Sequence, residues 1–244
     1  MELKVIGTGS KGNAYLLGNE HESLLIECGV NFRDIKKSLD FDLSKVVGCL
    51  VTHEHKDHSK AVSEVMASGI PLWASEGTHR ACKTLNHHRA RLLEPKMTTH
   101  QIGNFRVLAF DVRHDATDPI GFLIKHDECG RLLFLTDTFY CPYTFKDLHN
   151  IIIEANFSNT IIREKLGDKE FLRNRILTSH MSLETCIGFL DANNLEKVNN
   201  IVLIHLSDGN SDEEMFKREV EDATGKTVTV ASNGLVMDLN KTPF

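Results

Sequence analysis

The 244-residue chain has no apolar run approaching the ~18 residues of a membrane-spanning helix, and Met1-Glu2-Leu3-Lys4-Val5-Ile6 shows neither a basic segment nor a long apolar one of the secretory kind. Membrane spanning and secretion are therefore not expected. Positive charge is not in excess: 28 Lys and Arg stand against 34 Asp and Glu, a formal net charge of -6, the wrong sign for holding nucleic acid by bulk charge. No C-x-x-C pair occurs among Cys28, Cys49, Cys82, Cys129, Cys141 and Cys186. This argues against a zinc ribbon or a disulfide framework, and the scattered thiols read as reduced cysteines of a cytoplasmic protein. Repeats, low-complexity blocks and Pro/Gly/Ser linkers are also lacking, so residues 1–244 read as one continuous α/β domain with ample core.

What the chain does have is histidine, 13 in all, the commonest metal ligand among side chains. Short apolar runs alternate with amphipathic stretches along its length. They predict strands over 3–7, 14–17, 23–28, 46–52, 105–112, 121–125, 132–136, 151–155, 201–204 and 228–230. Helical patterns run over 59–68, 182–192 and 212–224; the last opens with Ser211 and Glu214 in capping-box spacing and stops at Gly225.

The predicted strand 46–52 runs directly into His53-Glu54-His55-Lys56-Asp57-His58, a density of ligand-type side chains that packing does not explain. On a tight loop after a strand, His53 and His55 can face one metal, while Asp57 and His58, one turn on, can reach a second. Imidazole and carboxylate donors suit zinc, manganese or iron. Further donors stand at other strand ends: His114 after 105–112, Asp137 after 132–136 and His205 after 201–204. Asp137 is the natural bridge, because one carboxylate can give an oxygen to each of two cations about 3.5 to 4 Å apart. Two divalent cations sharing a water would supply hydroxide near neutral pH as the nucleophile.

The order H-x-H-x-D-H, His, Asp, His resembles that of the metallo-β-lactamase fold of binuclear metallohydrolases, and the likeness covers nearly the whole chain. It implies a four-layer αβ/βα sandwich, two mixed sheets flanked by helices. It also implies one metal on His53, His55 and His114, a second on Asp57, His58 and His205, and Asp137 between them, the catalytic carboxylates being Asp57 and Asp137. The finer resemblance is to the YycJ/WalJ nuclease branch, through Gly9-Ser10-Lys11-Gly12-Asn13, His114-Asp115-Ala116-Thr117-Asp118-Pro119, Glu154-Ala155-Asn156, His180-Met181-Ser182 and His205-Leu206-Ser207. Two positions depart from the pattern. Glu27 stands where the family carries Asp, in a role of orienting a ligand or the shared water. Asn156-Phe157 stands where branch members read Asn-His.

His180 is spare after the ligand count and precedes Ser182, a helix-capping residue type; by its resemblance to tRNA-processing phosphodiesterases of this fold it is the expected proton donor. Asp115 is expected to fix the tautomer of a nearby histidine. Lys11, Asn13 and Ser182 are the expected substrate contacts, although the loop 9–13 also reads as a plain hairpin turn. The stretch 79–96 holds Arg80, Lys83, Arg89, Arg91 and Lys96 against one acid, Glu94, and can border the cleft or form a solvated face; Arg163 and Lys165 can add to it. Trp73 and Tyr140 can stack on bases or pack. Only 43 positions separate Asp137 from His180, too few for an inserted β-CASP domain. The resemblance points to a 5′-to-3′ exonuclease acting on DNA. A thioester or lactone hydrolase shares the same ligand scaffold. Flavo-diiron enzymes place Glu where His55 stands, and a non-catalytic module would be expected to have lost ligands, of which none is missing.

Overall fold

Alternation of buried side chains along the strands sets the architecture, seen in a computed structural model that describes residues 1–95, 98–166 and 170–242. The first sheet takes β1 (Glu2–Gly7), β2 (Ala14–Gly18), β3 (Ser23–Ile26), β4 (Val46–Leu50), β5 (Leu72–Ala74) and β6 (Ala90–Leu92). The second takes β7 (Thr99–Ile102), β8 (Phe105–Asp111), β9 (Ile120–His126), β10 (Gly130–Leu135), β11 (Asn150–Glu154), β12 (Asn200–Ile204) and β13 (Thr227–Val230), and β14 (Val236–Asp238) returns to the first sheet beside β1. Each sheet is mixed. Antiparallel pairing from β14 to β3 gives way to parallel pairing from β3 to β6, and the same change occurs at β10.

The two sheets pack face to face. Leu24 and Ile26 of β3 share a core with Leu132 and Phe134 of β10, Ile152 of β11 and Val202 and Ile204 of β12. The alternate residues face outward under helices. Leu133, Ile151, Ile153, Ile201 and Leu203 pack against Cys186 and Leu190 of α7 (Leu183–Asp191) and Phe216 and Val220 of α8 (Glu213–Thr224). On the other side Leu25 and Cys49 pack against Ile35 of α1 (Phe32–Ser38) and Val65 of α3 (Val62–Ala67). The result is helix, sheet, sheet, helix, the metallo-β-lactamase fold, and the central strands are apolar on both faces because both are covered. No helix among the described residues is long and apolar enough to cross a membrane.

All ten predicted strands are present within a residue or two of their expected ends. The four additional ones, β5, β6, β7 and β14, are short strands at or near sheet edges, with too few residues to show a period. The expected helix over 59–68 is two helices, α2 (Lys56–Ser59) and α3, because Ala61 leaves helical geometry at φ -102° and donates its N–H to Cys28 O. α2 thus begins inside the histidine motif and carries Asp57 and His58. The remaining helices are α4 (Glu76–Ala81), α5 (Asn159–Leu166) and α6 (Glu170–Ser179). At α8 the cap is Asp212, whose side chain accepts from Met215 N, while Ser211 Oγ turns back to Ser207 O. The capping-box reading is corrected accordingly; Gly225 does end the helix, at φ 62°.

Asp212→Ala is expected to lower stability by about 1 kcal/mol in a denaturant melt, and Ser211→Ala by less, as the cap assignment requires.

Candidate metal centre

The carboxyl ends of β10, β11 and β12 lie side by side in parallel register, so Asp137, Glu154 and His205 emerge next to one another. The ends of β3 and β4 face them from the other sheet and bring Glu27 and the loop from His53. Ile120 N donates to Thr52 O at 3.1 Å and draws the segment after His114 onto that loop. Three residues at these strand ends hold left-handed backbone, Glu27 (φ 64°), Asp137 (φ 46°) and His205 (φ 55°). For residues with a Cβ this costs on the order of 1 to 2 kcal/mol each, and it turns the side chains sharply off the strands into a shared space. Gly29 allows the closest approach: a Cβ there would stand 1.7 Å from Asp57 O.

Asp137 is the common element. Its Oδ2 lies 3.1 Å from His58 Nε2 and 3.5 Å from both His53 Nε2 and His114 Nε2, and its Oδ1 lies 3.6 Å from His205 Nδ1. His55 Nδ1 is 3.1 Å from His114 Nε2. On the other side, Asp57 Oδ2 is 3.4 Å from His58 Nε2 and 3.5 Å from His205 Nε2. Two donor sets therefore meet at one carboxylate, His53–His55–His114–Asp137 and Asp57–His58–His205–Asp137, each with its donor atoms within 4.8 Å of one another. These spacings suit cations held by imidazole nitrogen and carboxylate oxygen. The chemistry of the donors fits as well: His53 Nε2 is buried without a hydrogen-bond partner, a state that a cation would relieve.

The opposite ring nitrogens are fixed by the protein. His53 Nδ1 lies 2.9 Å from Thr52 Oγ1, His114 Nδ1 lies 2.8 Å from Ser179 O and 3.3 Å from Asp115, His205 Nδ1 lies 3.2 Å from Glu154 Oε1, and His58 Nδ1 faces Glu27 at 3.6 Å. At His53 and His114 these contacts hold the proton away from the cluster and aim Nε2 inward, while His205 Nδ1 faces both Glu154 and Asp137 and its Nε2 faces Asp57. Asp115 stands where the sequence placed it, beside a histidine, with the Ser179 carbonyl closer. Glu27 also accepts from Thr52 N, so its extra methylene still reaches the ligand loop. Burial raises its carboxyl pKa against the pull of His58.

Charge is divided between the two sets. Burial and the neighbouring His58 press His53 well below the usual imidazole range, and burial lowers His114. Burial also opposes charge on His58 and His205, but Asp137 and Glu27 lift the former well above its ordinary value, and Asp137, Asp57 and Glu154 push His205 up to about 10. Conversely, Asp137 and Asp57 stay well below the usual carboxylate range despite burial, held there by His205 and His58.

Glu154 was quoted only as part of a motif, and the structure gives it a place in the site. Fully buried, it accepts from His180 Nδ1 at 2.8 Å, from His205 Nδ1 and from Met181 N, and joins Asp137, His180 and His205 in a third donor group. Its signal was a lone acid closing the apolar run Ile151–Ile153. His180 lines a cavity of about 240 Å³ together with His55, Asp57, His114, Asp137 and Ile176. Burial lowers its proton affinity, and Glu154 more than restores it, raising the pKa above the usual value.

The expected substrate contacts are dispersed. Asn13 is buried with every polar atom engaged: Oδ1 accepts from Gly9 N and Tyr15 OH, and Nδ2 faces Gly9 O, Asp57 O and His58 Nε2. It is a strut under Asp57 and His58, and Tyr15 extends it through Thr8 Oγ1 to His205 N. Ser182 caps α7, accepting from Thr185 N, and Lys11 is exposed in an ion pair with Asp208. Along 79–96, His79 is buried between Thr84 and Arg91 O, Arg80 pairs with Glu76, and Arg91 bonds its neighbours' carbonyls; Lys96 lies outside the described residues. Lys165 donates to Gly209 O. Trp73 packs into the inter-sheet core, and Phe157 is buried. Glu54 accepts from Thr117 N and Oγ1, which clamps the loop after His114 to the histidine motif.

A family model of the beta-lactamase superfamily domain matches residues 22–206. The chain is 26% identical over 234 residues to exodeoxyribonuclease YycJ of Bacillus anthracis, covering 90% of this chain and 88% of that protein. It is 27% identical to exodeoxyribonuclease WalJ of Streptococcus pneumoniae, over 86% and 83% of the two chains. Among solved structures, the metallo-beta-lactamase fold protein YhfI from Bacillus subtilis superposes with a TM-score of 0.72 at 16% identity, covering 97% of this chain and 99% of that one.

The neighbouring carboxylates favour protons on His58 and His205 in the metal-free protein, so a cation entering that side competes with them, whereas burial disfavours protons on His53 and His114. Calorimetric titration is expected to give a second binding step that releases protons and strengthens from pH 6 to 9, by up to about tenfold per unit for each proton displaced, with a flatter first step. The raised pKa of His205 stabilises the metal-free fold below pH ~6.5, and that stability is lost as pH rises through about 10. The melting temperature of the metal-free protein should therefore fall between pH 7 and 10.

Proposed function

The chain belongs to the beta-lactamase superfamily as a hydrolase of the metallo-β-lactamase fold, and on that premise we propose that it is a binuclear phosphodiesterase that removes nucleotides from the 5′ end of DNA. The observation that carries this reading is the meeting of two complete donor sets at Asp137, with His180 and Glu154 beside them. His53, His55 and His114 would hold one divalent cation, Asp57, His58 and His205 the other, with Asp137 available to both; zinc, manganese and iron suit the donors. Cations so held supply an ionised water near neutral pH and countercharge for the phosphate. The exodeoxyribonuclease names of the relatives, similar over most of both chains, support the substrate class.

The chain's own residues then manage the proton. Glu154 accepts from His180 Nδ1 and raises the proton affinity of the ring, and Nε2–H is left to donate. As hydroxide adds to phosphorus and the bond to the 3′ oxygen of the terminal nucleotide breaks, that oxygen takes the His180 proton. A 5′-mononucleotide leaves, and the shortened strand keeps a 5′-phosphate. Glu27, Thr52, Ser179 and Asp115 keep the ligand rings in register, and Ser182 fixes the start of α7 immediately after His180. Residues 1–244 act as one domain in the cytoplasm, and two dications offset four of the chain's six net negative charges.

With Mn²⁺ or Zn²⁺, the purified protein is expected to release mononucleotides from 5′-phosphorylated single- or double-stranded DNA. Hydrolysis of thioesters or lactones with inert DNA would contradict the proposal. In His180→Ala, metal content should stay intact while turnover falls by about 10²- to 10⁴-fold; loss of metal would make His180 a ligand instead.

A further inference from the structure

Beside the metal centre, one buried hydroxyl holds two exposed residues together. Thr138 Oγ1 accepts from Arg113 N at 3.0 Å and donates to Tyr140 O at 2.9 Å, and Phe139 N donates to Arg113 O at 3.3 Å. Thr138 N in turn donates to Glu154 Oε2 at 3.3 Å. Arg113 adjoins His114 and Thr138 adjoins Asp137, so the segment is tied directly to the residues that line the cavity.

Neither exposed side chain has an evident role in folding. Tyr140 is 50% exposed, and among the described residues no aromatic ring pairs with it, whereas nearby Tyr143 meets Phe110 edge-on. Arg113 is exposed, and among the described residues no carboxylate pairs with it, unlike Arg80 with Glu76. A half-exposed aromatic and an unpaired guanidinium, carried on backbone that adjoins the cavity-lining His114 and Asp137, are the two chemistries a nucleic-acid strand requires. The ring offers a face for a base and the guanidinium a fork for a backbone phosphate.

We propose that Arg113 and Tyr140 form the strand-binding platform of this enzyme: a base of a single-stranded DNA end stacks on Tyr140 while Arg113 engages a flanking phosphate. The proposal rests on reading the site as a DNA phosphodiesterase and adds which residues grip the strand. It explains why the protein needs no strongly basic surface, since the grip is local and shared with the metals.

The test compares a 5′-phosphorylated single strand with the same strand carrying abasic nucleotides at its 5′ end. Tyr140→Leu should lower kcat/KM about tenfold on the intact strand, through KM, and cause no further loss on the abasic one. Tyr140→Phe should keep wild-type values. Arg113→Ala should reduce the slope of log KM against log salt by about one, and Arg113→Lys should restore it. Equal losses for Tyr140→Leu on both strands, or an unchanged salt slope in Arg113→Ala, would overturn the platform while leaving the phosphodiesterase reading intact. A wild-type protein inert on every strand would overturn both.

Discussion

A single buried carboxylate organises this molecule. Asp137 lies among five imidazoles, with Oδ2 within 3.5 Å of three of them. Buried in low dielectric, such a group is tolerable only if opposite charge or cations compensate it. Much of the neighbouring structure serves that condition. Thr52, Ser179, Glu27 and Glu154 turn each ring so that an inward nitrogen is available, and Asn13, Tyr15 and Thr8 brace the backbone that carries His58 and His205.

Topology brings these groups together, and local strain aims them. Two sheets, each changing from antiparallel to parallel pairing, expose the carboxyl ends of β3, β4, β10, β11 and β12 along one edge of the sandwich. At three of these ends the chain turns into left-handed backbone at residues other than glycine. The large cores on both faces of the strands keep those conformations in place, so the site draws its precision from packing around it.

Most of this was legible in the chain. Long apolar strands announce themselves because both faces are buried, as in Ile151–Ile153, while β5, β6 and β7, with three or four residues each, give no period to read. The clustered histidines were legible because four ligand-type residues in six have no packing explanation. Residues acting through backbone or a partner ring were harder to see. Thr52 and Ser179 carry no signal of their own type, Asn13 looked like part of a phosphate loop until its amide was found fully engaged, and Ser211 lost the cap to its neighbour Asp212. Glu154 had a signal, an acid ending an apolar run, that reads equally well as the edge of a core strand.

On the proposed reading both donor sets act at once, since one cation alone would leave two or three of the five ligand imidazoles without a task. The most direct measurement is a titration of metal-free protein with Mn²⁺ while nucleotide release from a 5′-phosphorylated DNA strand is followed and bound metal is counted. The account predicts two ions per chain, with activity rising only as the second is taken up. Full activity at one ion per chain, or two bound ions with no release from any strand, would contradict it.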